Sequence, residues 1–236
     1  MSILLSAILL VTAFLALYWV FYGQRKYNEM LIPKRKTDLK AILFDFDGVI
    51  IDSFEAWYHV FNQTRKHFKL REISEEEFRK KAWGKILNTE LKQNFPNQDI
   101  MEVKDQYSIL ITKNIDKIKL LPDSKEVLQK IKKKNLKIGL VTNNFTKPTA
   151  KALKFHKIGK YFDAIVTVDD IERPKPYPDA ILKACEKLGI APDETIYVGD
   201  NKNDFKAGKS AGAFVVGLNT HGDLTIGKLS DLLQLL

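Results

Sequence analysis

One cysteine, Cys185, stands in 236 residues, so no intramolecular disulfide framework can exist. It falls in Asp179-Ala-Ile-Leu-Lys-Ala-Cys-Glu-Lys-Leu-Gly189 at the spacing of a buried helix face, which reads as core filler. The four histidines (His59, His67, His156, His221) lack zinc-ligand spacing and are assigned no chemistry. Low-complexity tracts and internal repeats are absent, which excludes a solenoid. The first segment lacks charge altogether: from Ile3 to Tyr22 there is no charged residue.

About 20 apolar residues suffice to cross a bilayer as a helix. Tyr18, Trp19, Phe21 and Tyr22 close the run as an interfacial aromatic cluster, and Arg25 and Lys26 follow. A cleaved signal peptide competes with this reading, but no basic region precedes the run and no small-x-small site precedes the charges cleanly. Residues 1–23 are therefore expected to form a transmembrane anchor, and 24–38 a basic juxtamembrane linker. The positive-inside rule then places the rest of a single-pass protein in the cytoplasm. The formal net charge of +9 is partly local, since Arg25, Lys26, Lys34, Arg35, Lys36 and Lys40 face only Glu29 and Asp38. With the basic excess beside an apolar segment and no recognition module in view, a nucleic-acid partner is not favoured.

What is present begins at Ala41-Ile42-Leu43-Phe44, a short apolar run of the kind buried in a parallel sheet. It ends in Asp45-Phe46-Asp47-Gly48. Within a strand the two carboxylates would point to opposite faces. They converge only if the strand stops near Asp45 and Gly48 turns the chain sharply. Two acids so placed could be a nucleophile, an acid/base or metal ligands; Asp and Gly are also ordinary turn residues.

From about Ser53 to Leu121 the periodicity is helical, with Phe54, Trp57, Tyr58, Phe61 and Phe68 marking one face. Ser74-Glu75-Glu76-Glu77 reads as an N-cap with an acid-rich first turn. Trp83-Gly84-Lys85 breaks this helical stretch with an exposed-looking cation. Beyond Pro122 helices alternate with strands that end at Thr142-Asn143-Asn144, at Asp169-Asp170 and at Gly199-Asp200. The pattern predicts an α/β fold, a doubly wound, Rossmann-like parallel sheet over 39–52 and 122–236, with a helical cap inserted over 53–121.

In such a sheet ligands bind outside the carboxyl ends of the strands. Asp45, Asp47, Thr142, Asn143, Asp200 and Asp204 all sit at those ends. Oxygen-rich sites of this composition suit Mg²⁺. Lys175, held in Arg173-Pro-Lys-Pro-Tyr-Pro178, is a cation on a backbone fixed by prolines. Each feature alone has an ordinary structural explanation; their order and placement together do not.

These residues carry a resemblance to the haloacid dehalogenase-like superfamily, in the branch that includes phosphoglycolate phosphatase and β-phosphoglucomutase. It covers about Leu39 to Leu236. Asp45-Phe-Asp-Gly-Val is similar to the family's first motif, Thr142-Asn143 to the second and Lys175 with its prolines to the third. Gly199-Asp200-Asn-Lys-Asn-Asp204 is similar to the fourth. The resemblance implies Asp45 as nucleophile and Asp47 as general acid and base. It also implies Mg²⁺ held by Asp45, Asp200 and the Asp47 carbonyl with support from Asp204, and phosphate bound by Thr142 and Lys175. Gly84 and Lys85 of the cap, with Asn143, are expected to meet a small phosphorylated metabolite. Val49 stands where many phosphatases of the family carry Thr, a variant shared with its mutase-like members. Three functions follow as expectations: a membrane-tethered Mg²⁺-dependent phosphatase, a phosphomutase, or a catalytically silent binding module at the membrane.

Overall fold

A computed structural model describes residues 38–85 and 87–236. Six parallel strands form one sheet: β1 (Ala41–Phe44), β4 (Lys137–Val141), β5 (Ala164–Val166), β6 (Thr195–Gly199), β7 (Phe214–Leu218) and β8 (Leu224–Ile226), in spatial order β5-β4-β1-β6-β7-β8. A further pair, β2 (Ile51–Asp52) and β3 (Lys119–Leu120), is antiparallel, with Ile51 opposite Leu120. β1 is wholly buried, as its unbroken apolar run requires, and pairs in parallel with β4 on one side and β6 on the other. The strand order therefore reverses at β1, the topological switch point where ligands bind in open α/β sheets.

Between β2 and β3 lie four helices, α1 (Phe54–His67), α2 (Glu75–Lys81), α3 (Leu87–Asn94) and α4 (Ile100–Lys113). Aromatic side chains hold them together: Phe61 meets Phe78 at 5.1 Å and Phe95 at 5.6 Å, and Phe95 meets Tyr107 at 6.1 Å between ring centroids. Phe61 of the aromatic face of α1 is thus core, each ring pair adding roughly 0.5–1.5 kcal/mol beyond its buried area. Ser74 caps α2 as the sequence predicts, its hydroxyl accepting from the Glu77 N–H while the Glu77 carboxylate accepts from the Ser74 N–H.

The remaining helices, α5 (Ser124–Lys133), α6 (Thr146–Phe155), α7 (Asp179–Leu188) and α8 (Lys202–Ala211), connect the strands. Cys185 is buried on α7 beside Ile181 and Ala184, filling the core as its spacing implies. The closing segment Leu229–Leu235 is a 3₁₀-helix.

The expected membrane location is corrected. No helix among the described residues is long and apolar enough to cross a membrane. The longest, α1 and α4, have 14 residues each, about 21 Å of helix against a hydrocarbon core of about 30 Å. The anchor expected over 1–23 and the linker leading from it lie outside the described residues except for Asp38. The membrane tether, and the cytoplasmic placement that depended on it, are withdrawn.

Candidate active site

β1 stops at Phe44, and Asp45 becomes the first residue past its end, its N–H donating to the Val198 carbonyl of β6. The turn that follows is closed by the Gly48 N–H on the Ile51 carbonyl at 2.8 Å, and Gly48 takes φ +76°. A Cβ on Gly48 would collide with the Asp200 carboxylate. Two demands therefore meet at this glycine: a left-handed backbone and room for an acid. Gly48→Ala is expected to cost about 1–2 kcal/mol from the backbone alone. Displacement of Asp200 comes on top, so the unfolding midpoint should fall by at least ~2–4 °C and Mg²⁺ binding, measured by calorimetry, should weaken. An unchanged midpoint with unchanged Mg²⁺ affinity would show that neither demand is real.

Lys175 joins the strand ends. Its ammonium lies 2.7 Å from Asp45 Oδ1 and 2.7 Å from Asp204 Oδ1, and donates to Tyr197 Oη at 3.1 Å. Asn143, just past β4, grips the Lys175 backbone: its Oδ1 accepts from the Lys175 N–H at 3.0 Å and its Nδ2 donates to the Lys175 carbonyl at 3.2 Å. Burial opposes the charge on Lys175, but Asp204 and Asp45 outweigh it and hold the ammonium's pKa above the ordinary lysine value.

Asp45 Oδ1 accepts from Lys175 and from the Phe46 N–H at 2.7 Å; among the described residues Oδ2 accepts no hydrogen bond. Burial first, then the charge of Asp204, pushes the Asp45 carboxyl well above the usual range, with Lys175 pulling the other way. Asp47 accepts from Ser53 Oγ through Oδ1 and from Asn144 Nδ2 at 2.6 Å through Oδ2. Burial raises its pKa against the hydrogen bond from Ser53, the charge of Lys175 and the hydrogen bond from Asn144.

The fourth cluster of acids is set by α8. Asn201 caps the helix, accepting from the Asn203 N–H at 2.8 Å. Asp204 reaches back from the first turn, its Oδ2 accepting from the N–H groups of Asp200 and Asn201 at 3.2 and 3.3 Å. Its Oδ1 accepts from Lys175 and from Tyr197 Oη at 2.7 Å. With both oxygens so occupied, Asp204 is a positioning residue. A Cβ at Gly199 would press on its carboxylate, so that glycine admits the acid to the strand end. Burial and the nearby Asp204 push Asp200 up to about 6.

Carboxylate oxygens of Asp45, Asp200 and Asp204 lie within 4.8 Å of one another. Counting Asp47, four carboxyl groups face one ammonium in a buried pocket. Such a surplus of hard oxygen donors is the chemistry of a Mg²⁺ site. The residues present fit the metal.

Thr142 is buried, lines the same cavity and accepts the Asn144 N–H on its hydroxyl at 3.1 Å. The cavity measures about 430 Å³ and reaches from these acids to Gly84 and Lys85, both exposed on the helical insert. All nine residues singled out from the sequence thus line it or, for Asp204, stand directly behind it. Sequence reasoning missed Ser53, Asn144, Tyr197 and Glu90. Tyr197 left one signal, a phenol within an otherwise apolar buried strand; the others left none that turn chemistry does not equally explain.

The sequence pattern of haloacid dehalogenase-like hydrolases matches residues 42–218. Pyrophosphatase PpaX of Bacillus mycoides is 29% identical over 213 residues, covering 84% of this chain and 97% of that protein. Phosphoglycolate phosphatase of Shigella boydii is 31% identical over 222 residues, covering 84% and 87%. Among solved structures, CbbY of Rhodobacter sphaeroides in complex with phosphate shares the fold with a TM-score of 0.74 at 19% identity, covering 82% of this chain and 96% of that one. The chain belongs to the haloacid dehalogenase-like hydrolase family. Within it, this is a hydrolase of the phosphoglycolate phosphatase-like branch.

Proposed function

We propose that the protein is a Mg²⁺-dependent phosphatase that hydrolyses a small phosphorylated metabolite through an aspartyl-phosphate on Asp45. The observation that carries this reading is the buried pairing of Asp45 with Lys175, beside a second carboxyl, Asp47, held at the cavity wall by Ser53 and Asn144.

Asp45 Oδ2 attacks phosphorus; the new P–O bond forms as the ester P–O bond breaks. Asp47 gives its proton to the departing alkoxide oxygen, then takes one from the water that attacks the aspartyl-phosphate, releasing phosphate and restoring Asp45. Lys175 holds Asp45 Oδ1 in place, and Thr142 with the neighbouring amides binds phosphate oxygens whose charge grows during transfer. Asp45, Asp200 and the Asp47 carbonyl would hold Mg²⁺, with Asp204 fixing Asp200 through its backbone. When bound, the ion supplies the positive charge that lets one anion approach another. The helices between β2 and β3 serve as a cap whose Gly84 and Lys85 meet the substrate at the rim.

The test is phosphate release by the full chain from an aryl phosphate and a metabolite panel headed by phosphoglycolate and pyrophosphate. Chelation should lower release by on the order of 10²-fold or more, and added Mg²⁺ should restore it. Release indifferent to chelator would overturn the metal-dependent reading.

A further inference from the structure

Part of the cavity's wall is aromatic. Trp57, Phe61, Phe78, Trp83 and Tyr107 line it, with Phe61, Phe78 and Tyr107 buried and the two tryptophans half-buried. Trp57 stands beside both Asp47 and Tyr107, its ring 5.9 Å from that of Tyr107, so the aromatic surface begins where the leaving oxygen would receive its proton. Trp83 extends it, edge-on to Phe54 at 5.1 Å and tilted against Phe78 at 6.1 Å.

The deep polar position on this wall is a carboxyl. Glu90 of α3 is 3% exposed and accepts from Tyr107 Oη at 3.3 Å and Asn94 Nδ2 at 3.4 Å. Burial pushes it up to about 8, with those two hydrogen bonds pulling the other way, so it is largely a neutral acid at pH 7.

Cations are scarce. Among the described lining residues they are Lys175, already committed to Asp45 and Asp204, and Lys85, exposed at the rim. An exposed ammonium attracts a phosphate dianion from solution but is screened by salt. It does not offset the desolvation of an anion placed against tryptophan and phenylalanine. Phosphoglycolate carries such an anion in its carboxylate, and pyrophosphate carries one in its leaving phosphate.

We propose, resting on the phosphatase reading above, that the chamber selects a phosphate monoester whose leaving alcohol carries a flat, uncharged, largely apolar body, and selects against one bearing a second anion. Stacking on Trp57 and Trp83 supplies binding; the want of an uncommitted buried cation among the described lining residues supplies the exclusion.

A matched pair of substrates tests this with the full chain and Mg²⁺. Benzyl phosphate should exceed 4-carboxybenzyl phosphate and phosphoglycolate in kcat/KM by about tenfold or more, mostly through KM. Trp83→Ala should shrink the benzyl to carboxybenzyl ratio several-fold. Equal or better use of either carboxylate, or a ratio unmoved by Trp83→Ala, overturns the proposal.

Calorimetry on the Asp45→Asn full chain with Mg²⁺ separates this idea from the reaction itself. Tighter binding of benzyl phosphate than of its 4-carboxy partner, without hydrolysis of any ester by the wild type, would leave the chamber standing and remove the phosphatase. Hydrolysis of the esters without that order of binding would do the reverse.

Discussion

Asp45→Asn is expected to lose phosphate release by about 10⁴-fold or more while its unfolding midpoint, measured in chelator, rises or holds. The loss follows from removing the proposed nucleophile, since enzymes stripped of a nucleophile keep only binding and electrostatic catalysis. The gain follows from charge. Asp45 is buried among Asp204, Asp200 and Asp47 with a single ammonium to serve them all, and its carboxyl is driven well above the usual range by burial and by Asp204. An amide of the same shape has no charge to desolvate. Lys175 keeps Asp204 and Tyr197 as partners, so the substitution leaves no cation stranded. Phosphate assays against thermal melts in chelator check both halves. A variant that lost activity only because it melted earlier would defeat the charge argument, and one that kept turnover would remove Asp45 from the nucleophile's role.

Lys175→Met carries the opposite expectation for stability. It deletes the positive centre of the cluster and leaves Asp45 and Asp204, 5% and 1% exposed, without their shared partner. Breaking a buried ion pair from one side costs about 3–5 kcal/mol, because the stranded charge must stay buried. For a chain of this size that is a fall of roughly 10 °C in the midpoint, together with loss of turnover as Asp45 is no longer held. Adding Asp204→Asn to Lys175→Met should recover a large part of the midpoint and none of the activity. Full recovery of activity in the double variant, or a single variant that melts with the wild type, would mean that the ammonium does not organise the site.

Much of this arrangement was legible in the chain because its causes are local. A four-residue apolar strand followed by Asp-Phe-Asp-Gly has one economical geometry, and the left-handed Gly48 beside Asp200 is its realisation. The alternation of helices and strands after Pro122 specified the parallel sheet for the same reason, as did Ser74 and Glu77 for the start of α2. Long-range pairings were not legible. Asn144 meets Asp47 from 97 residues away, and Glu90 is buried by a tyrosine on another helix; neither contact has a signature at its own position. The short strand β8, with Thr225 at its centre, has too little apolar run to announce itself. The uncharged stretch from Ile3 to Tyr22 shows the reverse: hydropathy gave a definite reading that finds no support among the described residues.

The Lys175 crossing ties together parts of the chain that meet only late. Asp45 follows the first strand, Asn143 the fourth and Tyr197 lies in the sixth, while Asp204 belongs to a helix beyond them and Lys175 to a loop between. No fragment of the sequence shorter than Asp45 to Asp204 contains all of these groups. A nascent or partly unfolded chain that lacks one of these strand ends therefore has exposed carboxylates and an incomplete site. Assembly of the site and the pairing of β1 with β4 and β6 are therefore one event, and unfinished copies of the chain lack the site.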